Sequence, residues 1–113
     1  MPATPRTLRA VIFYDDLAAV ERAIHTLRAD LRRTGGTRTL DPLLWPIDLL
    51  DEALWLRLAA ADVASAETCV VSWSRRTGRT GGARLWLREL APRLARHWRM
   101  LPPPLDAALS QAV

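Results

Sequence analysis

Along the chain, two hydrophobic rhythms alternate. A continuous apolar run, Ala10 to Tyr14, follows the mixed start Leu8-Arg9. Its shortness and its β-branched and aromatic content predict a strand buried on both faces. Asp15-Asp16 ends it, and Asp16 is placed to cap the next element. From Leu17 to Arg33 the period changes. Leu17, Val20, Ile24, Leu27 and Leu31 step by three and four, while Glu21, Arg22, Arg28, Arg32 and Arg33 take other faces. This is an amphipathic helix with its anion early and its cations late, as the helix dipole prefers. Gly35-Gly36 stops it.

The alternation then repeats. Leu43-Leu44-Trp45 is strand-like, and Pro42, lacking a donor, belongs on an edge strand. Pro46, Ile47 and Asp48 make a turn, and Asp48 or Asp51 caps a second helix from about Leu50 to Ala64. That helix carries Leu50, Leu54, Leu58 and Ala61 on one side. Trp55 and Leu56 widen its apolar surface, which points to burial on more than one side or to a partner. Thr68 to Trp73 is a third strand centred on Val70-Val71. A loop comes next, Ser74 to Gly82. A third helix from about Ala83 shows Trp86 or Leu87, Leu90, Leu94, Trp98 and Leu101 at helical spacing, with Pro92 kinking or splitting it.

The order βαβαβα predicts a three-layer α/β fold with a short parallel sheet, right-handed crossovers and strand order 2-1-3. The expected organisation is a free N-terminus over 1–7, one domain over 8–101, and a Pro-rich turn and tail over 102–113. In this layout the third strand is an uncovered edge, and an uncovered edge invites pairing. A homodimer is therefore expected, through that strand or through the wide apolar face of the second helix. A separate protein partner is the other use of such a surface.

Composition narrows the chemistry. With 113 residues, half of them apolar, the chain makes one domain with an ordinary core. No apolar run is long enough for a membrane span, no hydrophobic leader is visible, and the single Cys69 forms no internal disulfide, so a cytoplasmic protein is expected. The net charge is +4, yet all 16 basic residues are Arg; Lys and Asn are absent. A GC-rich coding habit explains much of that balance, which weakens it as a sign of nucleic-acid binding. The missing Lys excludes Schiff-base chemistry and a P-loop.

In open α/β sheets ligands bind beyond the carboxyl ends of the strands, where strand order reverses. The first strand delivers Asp15 and Asp16 there, the second Asp48, and the third Ser72 and Ser74. Asp15 and Asp16 are candidate Mg²⁺ ligands, and Mg²⁺ is the one cofactor the sequence suggests; the plainer reading is a helix cap beside a solvated carboxylate. Ser74, Arg75, Arg76, Arg79, Gly81 and Gly82 form a candidate anion-binding loop, with bidentate donors opening onto a helix start. A solvated surface loop is its plainer reading. Trp73 beside Arg75 and Arg76 matches a base-stacking platform in sequence only. Arg84, Arg88, Arg96 and Arg99 share an arc of the third helix if it survives Pro92. No His or Cys spacing suggests zinc. Cys69, in an apolar strand, reads as a buried inert thiol. The near-repeat R-R-T-G-G-T-R-T (Arg32 to Thr39) and R-R-T-G-R-T-G-G (Arg75 to Gly82) places its two copies at opposite ends of the sheet, so they share no site in one subunit.

The run A-V-I-F-Y-D-D with its succeeding helix resembles the opening of response-regulator receiver domains, over about 25 residues. In that family the carboxylates after the first strand bind Mg²⁺, and Asp15 and Asp16 match them. The chain departs from the family beyond that: Ser72-Trp73-Ser74 stands where the phospho-accepting Asp would be, and there is no Lys. The resemblance therefore implies a shortened pseudo-receiver that cannot run the phosphotransfer cycle. In length and rhythm the chain also resembles small uncharacterised bacterial α/β proteins with a W-x-x-D after strand two, here Trp45 to Asp48, and an A-D/E-x-V-V third strand; no activity comes with that likeness. The leading expectation is a non-catalytic binding or signalling module. The rival is a small enzyme or enzyme subunit that holds a phosphate-bearing or other anionic ligand at the carboxyl edge of the sheet.

Overall fold

Four parallel strands in the order β2-β1-β3-β4 form the middle layer of the computed structural model, which describes residues 7–35, 37–74 and 82–103. The central strand β1 (Thr7–Tyr14) pairs with β2 (Thr39–Pro46) on one side and with β3 (Thr68–Ser72) on the other. Ala10 to Phe13 and Cys69 to Ser72 are wholly buried, as strands covered on both faces must be. Pro42 and Pro46 lie on β2, an edge strand, where a missing N–H is tolerated.

The third strand is not an edge. Residues Trp98–Leu101, expected as the end of the third helix, form β4 and pair in parallel with β3. The Cys69 amide donates to the His97 carbonyl and the Trp73 amide to the Leu101 carbonyl. The sheet therefore has four strands rather than three, and dimerisation through the edge of β3 is ruled out because β4 occupies that edge. Arg96 and Arg99 likewise leave the helix, so the expected four-arginine arc does not form.

Among the described residues, helix α1 (Leu17–Arg33) is the one helix that covers its face of the sheet. It buries Ala19, Val20, Ala23 and Leu27, and Ala23 and Leu27 lie against Ala10, Ile12 and Val70. Asp16 caps it as expected: its Oδ1 accepts the Ala19 amide at 3.1 Å. At the other end Gly35 adopts φ +69°, the left-handed turn that glycine allows.

The opposite face carries a short 3₁₀ turn (Ile47–Asp51), helix α2 (Ala53–Ser65), and a helical stretch in three pieces. Those pieces are α3 (Gly82–Leu85), a π turn (Trp86–Leu90) and α4 (Ala91–Leu94). The split expected at Pro92 is thus realised as a widened turn, in which the Ala91 amide reaches back five residues to the Trp86 carbonyl. The larger core lies here. Phe13 meets the Trp86 ring edge-on at 5.9 Å, and Trp45 meets Trp55 at 6.2 Å. The Trp45 indole N–H also donates to Asp62 at 2.9 Å.

Helix α2, whose apolar surface the sequence spreads over more than one side, buries the side of Trp55 rather than that of Leu54 and Leu58. Ala59 and Val63 are buried, with Trp55 and Leu56 packed against the core, while Leu54, Leu58 and Ala61 point outward. Neither Asp48 nor Asp51 caps it; Glu52 holds the cap position without a side-chain bond. Among the described residues no helix is long and apolar enough to cross a membrane.

Candidate functional site

The carboxyl rim of β1 and β3 is where strand order reverses, and four of the singled-out residues meet there. Asp15 comes directly after β1, and both its carboxylate oxygens accept the Ser74 amide, at 2.9 and 3.1 Å. This bond ties the exits of the two central strands together. Asp16, next in the chain, is committed to the α1 cap. A Mg²⁺ ion at this acid pair would compete with those amides for the same oxygens. Among the described residues no third His, Cys, Asp or Glu joins them as a ligand set.

Ser72 and Ser74 have buried hydroxyls, and among the described residues neither Oγ has a hydrogen-bond partner. Asp48, expected on the same rim, sits exposed in the 3₁₀ turn after β2. Arg75, Arg76, Arg79 and Gly81 lie outside the described residues; Gly82 is the first residue of α3.

One rim residue had no signal in the sequence. Arg22, on a polar flank of α1, donates to the Trp73 carbonyl at 2.7 Å and to the Pro102 carbonyl at 2.6 Å. It thereby closes the ends of β3 and β4 against the helix. Arg84 lies 5.4 Å over the Trp73 ring, a cation–π contact. A base-stacking role for Trp73 would have to displace Arg84.

The single thiol is a poor nucleophile. Burial pushes the Cys69 thiol up to about 11, so the thiolate is scarce at neutral pH. His25 and His97 are exposed on the α1 flank and before β4, away from the acid pair.

The helical layer on the opposite face offers a different kind of site. Leu54 and Leu58 of α2, with Leu85, Leu90 and Leu94 of α3, the π turn and α4, are 45–63 % exposed. Leu54 and Leu58 are four apart and share one line of α2. The π turn adds a residue to the helical repeat, so Leu85 and Leu90, five apart, come onto one line with Leu94. Helix α2 packs against α4, so the elements that carry these leucines are neighbours on this face of the sheet.

Comparison with known proteins gives no family, no curated relative and no solved structure that matches this chain.

Proposed function

We propose that this protein is a non-catalytic interaction module that works as a two-fold dimer, docked through the outer surface of α2 and α3–α4. The observation that carries the reading is the doubled line of exposed leucines. Soluble monomers rarely leave contiguous apolar surface of this kind uncovered. The charges around it favour a second copy of the chain as the occupant. Both α2 and α3–α4 run from the carboxyl to the amino end of the sheet, as connections between parallel strands require. Asp51 and Glu52 therefore mark one corner of the surface and Arg93 the diagonally opposite one. A two-fold axis through the leucines exchanges these corners, setting acid against arginine twice.

The strand order β2-β1-β3-β4 is also that of the first four strands of a flavodoxin-like sheet, and the acidic turn comes after β1 as in receivers. On this reading the module is of pseudo-receiver type, keeping the scaffold and a pairing surface without phosphotransfer chemistry. Sedimentation across micromolar to submillimolar concentration tests it. A dimer is expected, with Leu58→Glu and Leu90→Glu each giving a folded monomer. Arg93→Glu should weaken the dimer, and Arg93→Glu combined with Glu52→Arg should restore it. A wild-type chain that stays monomeric throughout refutes the proposal.

The unpartnered Ser72 and Ser74 hydroxyls favour a second reading, a small phosphate-bearing or other anionic ligand taken at the carboxyl rim. Thermal shifts with Mg²⁺ and nucleotides decide it: stabilisation abolished by Ser74→Ala supports the reading, and no shift with any of them removes it.

A further inference from the structure

At the opposite end of the sheet, α1 and the start of β2 enclose a cleft of about 280 Å³ lined by Arg28, Leu31, Arg32, Arg38, Thr39 and Leu40. Three of these residues belong to the Arg32 to Thr39 segment R-R-T-G-G-T-R-T. Gly35, at φ +69°, turns the chain back after α1, which is how Arg38 and Thr39 come to face Arg28 and Arg32. The cleft sits at the amino edge of the strands, away from the rim where open α/β sheets ordinarily hold ligands.

The charges in the cleft are unequal in availability. Arg38 is held: it donates to both Glu67 carboxylate oxygens, at 2.6 and 2.7 Å, and to the Thr7 carbonyl at 2.9 Å. That pairing holds the Glu67 carboxyl below its ordinary range and leaves the couple near neutral. Arg28 and Arg32 are exposed and, among the described residues, make no ion pair. They stand four apart on one face of α1, so both guanidinium groups reach the same mouth. Arg33, next along, is taken up by Asp30.

Two uncompensated positive charges, a threonine hydroxyl and an apolar floor of Leu31 and Leu40 define a ligand chemistry. We infer that this cleft binds a phosphate monoester, its dianion between Arg28 and Arg32 and its organic part on the leucines. Planar guanidinium groups grip phosphate oxygens in pairs, and a dianion matches the two free charges. The helix dipole opposes an anion at this end of α1, so the two arginines carry the binding together.

The test is a titration of the full chain with phenyl phosphate and with inorganic phosphate, monitored by amide chemical shifts. Chloride at matched ionic strength is the control. Shifts should centre on Arg28, Arg32 and Thr39, with phenyl phosphate the tighter ligand. Arg28→Gln and Arg32→Gln should each weaken binding roughly tenfold. Affinity should fall as pH drops below about 6, where a monoester takes up its second proton. Each of three outcomes overturns the inference: shifts matched by chloride, binding unchanged in the Arg28→Gln/Arg32→Gln double variant, or binding lost on Ser74→Ala instead, which would place the anion on the far rim. A short single-stranded oligonucleotide that outcompetes phenyl phosphate by orders of magnitude would likewise replace the small ligand with nucleic acid.

Discussion

Single residues at the chain's turning points set much of this structure, and some were legible from their type alone. Asp16 reads as a cap because a carboxylate precedes a helical period, and it caps α1. Gly35 reads as a stop and takes a left-handed φ with nothing within 4 Å of the position a Cβ would fill. Conformation alone therefore calls for glycine there, and Gly35→Ala should lower stability by about 1 kcal/mol in urea unfolding, without altering the fold. Cys69 reads as a buried thiol and is one. Its folded value near 11 stands above the ordinary 9.0, so folding favours the protonated form. The associated stability is intact below 9.0 and is lost as pH climbs toward 11. Denaturant midpoints measured across that window should show a decline that is smaller in Cys69→Ala, and native Cys69 should resist thiol reagents until the chain unfolds. Arg22 was not legible: its two carbonyl partners lie 51 and 80 residues away, and no local pattern encodes so distant a pairing.

Elements were legible where burial and period agreed. Strand β1 is apolar on both faces and α1 spans the residues its period predicts, although its buried line runs through Ala19, Val20, Ala23 and Leu27 and leaves Leu17 exposed at the helix start. Strand β4 shows the opposite case. Leu94, Trp98 and Leu101 are spaced by four and three, so periodicity alone extends the helix through them. What ends the helix is tertiary: Ala95 turns extended, and the amides of β3 need acceptors that only a neighbouring strand supplies. The outward turn of Leu54 and Leu58 has the same kind of cause. Helix α2 is apolar nearly all round, so its sequence does not choose a face, and Trp55, Ala59 and Val63 win because they fit against the core that includes Trp45. These differences in anchoring give an expected order of hydrogen exchange. Amides of β1 and β3 should exchange slowest, by near-global unfolding, and those of four-residue β4 measurably faster. Equal protection in β3 and β4 would contradict that order.

Across the whole molecule, the α/β class and the β2-β1-β3 core of the sheet were legible because alternating strand and helix periods leave few topologies. The rim was legible as a place, and the structure does gather Asp15, Asp16, Ser72 and Ser74 there; what their bonds do was not, since amide capture depends on backbone paths. The leucine surface was legible only as excess, an apolar face without a stated side. Among the described residues the layers themselves are unequal, one helix on one side of the sheet and every other helical piece on the other. All five indoles belong to the heavier side, in the core that surrounds Phe13 or packed against it. Tryptophan emission from this protein is therefore a one-sided witness. If α1 peels from the sheet before the rest gives way, circular dichroism will register the lost helix while fluorescence stays nearly native, and the two melting curves will part; curves that superimpose would mean the lone helix and the tryptophan side melt as one.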